Sequence, residues 1–342
     1  MAASECRCIV RGSINNDEYF YVDSIARPGE TISSKEHASR VGGKGANQAI
    51  AIAQARGIAQ FYGTIGKDAL WVKKRMEEFG IDVSGILVSD EATGRAIIQV
   101  ADDGENSIIL FPGANFSDLH EQNFGALSKG HFPESTHILL QNEIPLKSTI
   151  YALNNAKSAV TILNPSPLPS RKAVAEFPWS KVDWLLVNAS EVRDLCASVT
   201  GQEAEALSSI SPQEAVSLLS AQSEFQKMNI ICTLGSEGVL AFVPAFHKPA
   251  TAGAQPAFLH VPAAKVTEVR DTTGAGDCFT GYFVQGLLEF PPSARLGTEI
   301  LQADIEKILK VAVQAAGMCV EKPGTIDSIP TRGEVMARMS ST

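Results

Sequence analysis

The chain has 342 residues, of which 44% are hydrophobic and 20% charged, the usual balance for a globular protein in water. Its net charge of −9 argues against binding to a nucleic acid, whose phosphate backbone requires clustered lysine and arginine. No apolar run approaches the roughly 18 residues of a membrane span, and the first residues do not resemble a cleavable signal. We therefore expect a cytoplasmic protein without a membrane partner, with the nucleus as a further compartment if the source is eukaryotic.

Buried-strand patterns alternate with helical patterns along most of the chain. Strands are predicted at 6–12, 59–66, 136–141, 159–164, 182–188 and 229–235, and helices at 46–57, 70–80, 148–158 and 211–225. Short apolar strands separated by amphipathic helices are typical of an α/β fold, in which a mostly parallel sheet has helices on both faces.

Three stretches do not follow this alternation. In residues 18–41 the hydrophobic pattern alternates with a period of two, as in a strand. The pattern of residues 93–111 predicts two strands around a turn at Asp102 to Gly104. We expect them to form a small antiparallel sheet that projects from the edge of the large one. Residues 243–262 are rich in proline and alanine, which predicts a loose loop.

The cysteines and histidines give little sign of a metal site. Cys6 and Cys8 are the one close pair among six cysteines, and a C-x-C pair without a second pair is a poor zinc signal. The six histidines show no ligand spacing. We expect reduced, structural thiols and no histidine-bound metal.

Two motifs place polar groups after predicted strands. The stretch GSINNDE (12–18) supplies Asn15 and Asp17, which either hydrogen-bond the hydroxyls of a sugar or form an Asx-turn. The stretch VNASEVRDL (187–195) supplies Asn188 and Glu191, which either cap a helix or hold a hydrated Mg²⁺.

The stretch VGGKGANQAIAIA (41–53) puts three glycines at the start of a helix. It fits neither the P-loop pattern nor G-x-G-x-x-G. Its backbone N–H groups, with Lys44 and Asn47, suit a polyhydroxylated or anionic ligand. The alternative is a plain turn that needs glycine for its backbone conformation.

The stretch RDTTGAGDCFT (270–280) is the most specific indication of function in the sequence. The apolar segment after it predicts a helix, so the free N–H groups of Gly274, Ala275, Gly276 and Asp277 lie at a helix N-terminus. Asp277 as a simple N-cap would not explain why the turn lacks large side chains. An anion-binding nest with a base beside it explains both features, and it suits phosphoryl transfer to an alcohol.

Seven motifs together resemble those of the ribokinase-like (PfkB-type) carbohydrate kinases. They are GSINND, VGGKGANQA, LLQNEIP, NASE, CTLGSEG, DTTGAGD and PGTIDSIP, in the family's order between about residues 8 and 332. The resemblance implies one Rossmann-like α/β domain over 1–342, with a β-sheet lid from about 13–41 and 93–112. It further implies ATP-dependent phosphorylation of a sugar, with D-ribose and its 5-hydroxyl as the nearest match, and a homodimer formed through the lid.

The resemblance also assigns residues by their match to the family's motifs. Asp277 matches the general base, and Gly274, Ala275 and Gly276 match the anion hole. The positions that match sugar contacts are Asn15, Asn16, Asp17, Gly43, Lys44, Gly45, Ala46, Asn47 and Glu143. Those that match ATP contacts are Asn188, Thr233, Leu234, Gly235, Ser236, Glu237 and Gly238, together with Gly276 and Asp277. Glu191 matches a position associated with Mg²⁺. A monovalent cation, usually K⁺, is implied at Asp271, Thr273, Cys319, Lys322, Gly324 and Ser328.

The sequence departs from the family near the expected adenine and cation positions. Val313 and Gln314 stand where relatives often have Asn or His, and Glu321 and Lys322 replace a more usual Thr-Arg pair. Two alternatives to a ribose kinase stay open. One is a kinase of the same fold for another pentose, a hexose or a nucleoside. The other is a non-catalytic sugar-binding regulator.

Overall fold

The computed structural model describes residues 6–120, 136–156, 159–248 and 256–341. The strands, numbered in chain order, are β1 (Arg7–Arg11), β2 (Asn15–Val22), β3 (Glu36–Gly42), β4 (Ile58–Gly66), β5 (Asp82–Ser89), β6 (Gly94–Ala101), β7 (Asn106–Phe111), β8 (His137–Leu140), β9 (Val160–Leu163), β10 (Trp184–Asn188), β11 (Asn229–Thr233), β12 (Val239–Phe242) and β13 (Leu259–Val261). The α-helices are α1 (Lys44–Gln54), α2 (Leu70–Glu78), α3 (Leu146–Asn155), α4 (Arg171–Glu176), α5 (Ala189–Thr200), α6 (Ala204–Leu207), α7 (Pro212–Ser220), α8 (Pro244–His247), α9 (Ala275–Leu288), α10 (Gln302–Cys319) and α11 (Arg332–Ser340).

The large sheet has the strand order β13-β12-β11-β10-β9-β8-β1-β4-β5. Every neighbouring pair from β5 to β11 is parallel, and β12 and β13 complete the edge as antiparallel strands. One apolar cluster contains side chains of α1, α9 and α10, and a second contains side chains of α3, α5 and α7. The prediction of a mostly parallel sheet covered on both faces is confirmed. Within the described ranges no helix is both long enough and apolar enough to cross a bilayer.

The central helix α9 packs directly against α1. Its sequence is apolar over nearly its whole length, and its residues from Asp277 to Leu288 are buried. A Cβ at Gly281 would overlap Ala51 Cβ of α1 and lie 2.7 Å from the Gln48 carbonyl oxygen, so only glycine allows this approach of the two helices. The contact brings the first turn of α9 beside the first turn of α1.

The small sheet has the strand order β3-β2-β6-β7 and stands apart from the large one. Its outer pairs are antiparallel, but its central pair, β2 with β6, is parallel in the register Asp17 to Ala96. The prediction of an antiparallel sheet is therefore wrong at its centre. The reason is topological, because β2 follows β1, β6 follows β5, and both of these strands run in the same direction.

Several elements differ from the sequence-based predictions. The strand β5 and the antiparallel strands β12 and β13 were not predicted, and the proposed loop at 243–262 contains α8 and β13. The central part of that loop, 249–255, and the end of the helix predicted at 148–158 lie outside the described residues. The helix predicted at 211–225 stops at Ser220 and is followed by a short 3₁₀ turn.

Candidate active site

The glycine turn opens α9 as the sequence predicts. Gly274 has φ +79°, a left-handed conformation that other residues adopt only with strain, and α9 begins at Ala275. The Ala275 N–H group donates to the Thr272 carbonyl oxygen at 3.3 Å. In the described part of the chain, the N–H groups of Gly276 and Asp277 have no such partner. These two donors at the positive end of the helix dipole therefore stay available to an anion.

The carboxylate of Asp277 is held by two side-chain amides from α1. Asn47 Nδ2 donates to its Oδ2 at 2.9 Å, and Gln48 Nε2 donates to its Oδ1 at 2.9 Å. Gln48 Nε2 also lies 3.0 Å from Asn164 Oδ1, while Gln48 Oε1 accepts from Gln141 Nε2 at 2.6 Å. Because these side chains are buried or nearly so, the network fixes the direction of the Asp277 carboxylate.

Glu143 ties the loop after β1 to the start of α1. Ser13 Oγ donates to Glu143 Oε2 at 2.6 Å, and the Lys44 N–H group donates to the same oxygen at 2.9 Å. The Gly45 N–H group in turn donates to Ser13 Oγ at 3.3 Å. A carboxylate at a helix N-terminus satisfies otherwise unpaired N–H groups and favours the helix dipole. Glu143 therefore shapes the glycine-rich loop and is also one of the predicted sugar contacts.

Asp17 is a buried carboxyl group within electrostatic reach of two others. Burial is the first cause that raises its pKa from 3.8 to about 7, and the charges of Glu143 and Asp277 raise it further. Its side chain is only 7% exposed, and its Oδ1 has no hydrogen-bond partner among the described residues. A buried, unpaired acceptor of this kind is suited to the hydroxyl groups of a ligand.

The asparagines beside Asp17 have different surroundings. Alternation along β2 puts Asn15 and Asp17 on one face of the small sheet and Asn16 on the other. Asn15 Oδ1 accepts from Asn115 Nδ2 at 2.8 Å, and Asn115 is itself anchored to the backbone of Ile14. The structure thus places Asn15, but not Asn16, on the face of Asp17.

A polar cleft of about 270 Å³ opens in front of Asp277. The negative charge of Asp277 is the main cause that raises the pKa of Lys44, with smaller contributions from Glu143 and Glu191. Lys44 was predicted as a sugar contact. In the structure it lines the polar cleft. The lining includes Lys44, Asn164, Asn188, Glu191, Thr233 and Gly276.

Asn188 and Glu191 form a capping box at the start of α5. Asn188 Oδ1 accepts from the Glu191 N–H group at 2.8 Å, and Glu191 Oε2 accepts from the Asn188 N–H group at 2.9 Å. The capping alternative that the sequence left open is therefore realised in the structure. Both residues also line the polar cleft, so the cap orients their side chains at its wall.

An apolar cavity of about 620 Å³ adjoins the polar cleft and shares Thr233, Thr272, Gly276 and Phe279 with it. Predicted ATP contacts lie on its wall at Gly235, Ser236 and Gly238. The rest of the lining is mostly aliphatic, and Gln314 is not part of it. Its aliphatic residues include Val266, Val269, Val313, Ala316 and Val320. An aliphatic slot of this size beside an anion-binding turn suits the base and ribose of a nucleotide.

Asp271 joins the two loops predicted to hold a monovalent cation. Its Oδ1 accepts from the Thr273 N–H group at 2.9 Å, and its Oδ2 accepts from the Gly324 N–H group at 2.9 Å. The Cys319 carbonyl oxygen accepts from the Lys322 N–H group, and Ser328 Oγ bonds both Cys319 Sγ and the Thr325 carbonyl oxygen. If these loops hold a cation, its ligands would be the Asp271 carboxylate and backbone carbonyls, a donor set that fits a hard, singly charged cation. Across the described ranges there is no cluster of three His, Cys, Asp or Glu side chains for a metal.

The sequence reasoning missed the residues that orient the site. Gln48, Gln141 and Asn164 connect Asp277 to three other elements, and Ser13 and Asn115 support the predicted sugar side. A usable signal existed for part of this set, because Gln141 and Asn164 directly follow β8 and β9, where a parallel sheet places its ligand groups. Asn115 follows no such rule, since it is contributed by a short 3₁₀ turn after the small sheet.

The fold is that of a class of sugar kinases. The model of the pfkB family of carbohydrate kinases matches residues 7–332, and the chain belongs to this family.

Within the family, the chain is similar to ribokinases. A ribokinase of Haemophilus influenzae is 32% identical over 335 residues, which cover 96% of each chain. The crystal structure of a ribokinase from Cryptococcus neoformans var. grubii serotype A in complex with ADP has a TM-score of 0.78 and 39% identity, covering 97% of this chain and 99% of that one. An Arabidopsis thaliana ribokinase complexed with ribose and ATP has a TM-score of 0.71 and 27% identity, covering 98% of each chain.

Proposed function

We propose that this chain transfers the γ-phosphoryl group of ATP to the 5-hydroxyl of D-ribose and so forms D-ribose 5-phosphate. One observation carries the proposal. Asp277 lies at the wall of the polar cleft, and its carboxylate is bound by Asn47 and Gln48 of the helix that follows the glycine-rich loop. A base at the junction of a sugar site and a nucleotide site suits phosphoryl transfer.

The sugar would lie between the small sheet and the start of α1. Asp17 would accept hydroxyl donors with its unpaired Oδ1, and Asn47 would offer its own unpaired Oδ1. Glu143 would complete the acceptor set from the loop after β8. Carboxylate and amide oxygens that lie this close to one another favour a polyhydroxylated ligand over a nucleobase. D-ribose in particular is supported as the substrate by the ribokinases to which the chain is similar.

Asp277 would act as the general base. In a loose transition state the attacking hydroxyl becomes acidic as it bonds to phosphorus, so a carboxylate can accept the proton late. The unpaired N–H groups of Gly276 and Asp277 would take the negative charge that develops on the transferred group. The Lys44 ammonium group, close to Asp277 at the cleft wall, would hold the phosphate chain in line.

ATP would place its base in the apolar cavity and its phosphates in the polar cleft. Mg²⁺ would enter with the phosphates, with Glu191 as the nearby carboxylate, and it would neutralise phosphate charge. K⁺ would be held by Asp271 and Thr273 of the first loop and by Cys319, Lys322, Gly324 and Ser328 of the second. It would supply a fixed positive charge behind the catalytic turn.

The proposal includes a homodimer formed through the small sheet. The strand β7 lies at its edge, and its residues Ile108, Ile109, Leu110 and Phe111 are 48–65% exposed. An edge strand that is apolar on both faces offers unpaired backbone groups and hydrophobic area together. A second copy of the same strand would satisfy both.

The test measures ADP release by the purified protein with Mg-ATP. D-ribose, 2-deoxyribose, fructose and adenosine are compared, each with K⁺ or with Na⁺. We expect turnover that depends on D-ribose and is stimulated by K⁺. Turnover with another of these acceptors would overturn the substrate but keep Asp277 and its turn. Absence of turnover with all four would favour the sugar-binding regulator.

A further inference from the structure

Tyr19 links the small sheet to the loop that follows α10. Its hydroxyl group lies 3.0 Å from Thr325 Oγ1, and both side chains are buried. The guanidinium group of Arg40 lies over the Tyr19 ring, 5.0 Å from its centroid, and is 3.7 Å from Asp327 in the same loop. The small sheet therefore meets this loop through a buried hydrogen bond that a partly exposed ion pair reinforces.

Thr325 also touches the catalytic turn from the other side. A Cβ placed at Gly274 would lie 2.7 Å from Thr325 Cγ2, so the Thr325 methyl group fills the space under this turn. The Thr325 side chain is only 1% exposed. Its two branches thus have different neighbours, since the hydroxyl group contacts Tyr19 and the methyl group contacts Gly274.

Tyr19 and Asp17 lie on the same face of β2. They are two residues apart on a regular strand, and β2 pairs with both β3 and β6 along this length. A shift of Tyr19 would therefore move Asp17 with it. Two residues further on, Tyr21 packs against the same small apolar cluster, but no hydrogen bond of its hydroxyl group is found in the described part of the chain.

We infer that Thr325 and Tyr19 are positioning residues that couple closure of the small sheet over the sugar to the geometry of the catalytic turn. The inference deepens the proposed function and rests on it. The hydroxyl branch of Thr325 holds the strand of Asp17 over the sugar, and the methyl branch supports Gly274 at the start of α9. The hydroxyl branch therefore acts on the affinity for the sugar, and the methyl branch acts on kcat.

The test compares Tyr19→Phe, Thr325→Val and Thr325→Ser with the wild type, using Tyr21→Phe as the matched control. Calorimetry gives the Kd for D-ribose without nucleotide and the Kd for ADP without sugar, and steady-state kinetics give kcat. Tyr19→Phe and Thr325→Val remove the hydrogen bond, and each should raise the Kd for D-ribose about fivefold without changing the Kd for ADP. Thr325→Ser keeps the hydroxyl group, so it should restore sugar affinity while kcat stays several-fold below wild type, because the turn loses its support.

The double variant Tyr19→Phe/Thr325→Val should bind D-ribose as weakly as either single variant, because both remove the same bond. Full additivity would overturn the inference, as would sugar affinity in Tyr19→Phe equal to that of Tyr21→Phe. An equal loss of ADP affinity would reveal a general structural defect and would also overturn it. If the wild type binds no D-ribose, the proposed substrate is wrong, and the same comparison with the sugar that it phosphorylates decides the inference separately.

Discussion

The side-chain amide of Asn47 donates a 2.9 Å hydrogen bond to the carboxylate of Asp277, which lies 230 residues further along the chain. The bond joins the first turn of α1 to the first turn of α9, and the neighbouring Gln48 adds a second bond. Both helices begin in glycine-rich turns, so the sugar-side loop and the anion-binding turn face each other across this contact. The Asp277 carboxylate, the proposed general base, is thus positioned by the helix that would bind the sugar.

Asp277→Asn should preserve the fold and sugar binding but remove nearly all turnover. The amide retains the shape of the side chain but cannot accept the hydroxyl proton, and a general base contributes roughly 10²–10⁴ in rate. The measurement is kcat for ADP release, with D-ribose affinity measured on the same preparation. Asp194→Asn, at an exposed position on α5, is the matched control. Retention of more than about a tenth of wild-type activity would refute the general-base role.

Gln48→Met should lower kcat about tenfold or more, because Asp277 Oδ1 loses the donor that orients it. Methionine keeps the volume of the fully buried side chain, but it leaves Gln141 Nε2 and Asn164 Oδ1 without this partner. Unfolding in urea should show a loss of stability of about 1–3 kcal/mol for the unpaired groups. Gln60→Met on β4 provides the control for the substitution itself, and unchanged kcat in Gln48→Met would show that Asn47 alone positions the base.

Much of the fold is readable from the sequence because burial leaves a pattern. The parallel strands are covered on both faces, so each reads as a short apolar run, as in residues 229–233. Strand β5, with polar residues at 82, 84 and 89, lacks such a run because it lies at the edge of the sheet. The direction of the β2–β6 pair depends on contacts between distant segments, which no local pattern encodes.

The candidate site is predictable where backbone chemistry forces a residue type, as at Gly274. The network behind Asp277 is different. Gln48, Gln141 and Asn164 are amides whose bonds to one another and to Asp277 span 93 to 229 residues, and their role follows only from the packing of the assembled fold. The double contact of Thr325 is likewise a property of the assembled fold.

Asp17 should make folding stability depend on pH. Its pKa is about 7 in the folded chain and 3.8 for an ordinary side chain, so between these values the folded state holds a proton that the unfolded state releases. The stability that this carboxyl group contributes is full below the unfolded value and is lost as the pH rises to about 7. The difference amounts to a few kcal/mol at about 1.4 kcal/mol per pKa unit.

The measurement is urea unfolding of the wild type and Asp17→Asn, without sugar, at about pH 5 and about pH 8. Burial lowers the pKa of His120 and His137 to about 4, so these histidines make stability rise with pH and oppose the effect of Asp17. Both proteins contain them, so the difference between the two proteins isolates the contribution of Asp17. Asp17→Asn should gain stability relative to the wild type as the pH rises. A difference that is independent of pH would contradict the buried, protonated carboxyl group.

Ala316→Phe should weaken nucleotide binding and leave the sugar site unchanged. Ala316 lines the apolar cavity from α10, and a phenyl ring there would occupy volume that the base needs. We expect the KM for ATP to rise about tenfold or more, with the Kd for D-ribose within about twofold of the wild type. Ala337→Phe, at an exposed position on α11, controls for the added ring. An unchanged KM for ATP would show that the base binds elsewhere.

Leu110→Lys should separate the proposed dimer. Leu110 is 65% exposed on the edge strand β7, and a lysine there places like charges opposite each other and disfavours pairing of two edges. Sedimentation of the wild type should give a dimer, and the variant should be monomeric at micromolar concentration. Leu218→Lys, at a 40% exposed position on α7, changes charge and hydrophobicity equally and should leave the dimer intact. A monomeric wild type, or a variant that stays dimeric, would exclude this strand as the interface.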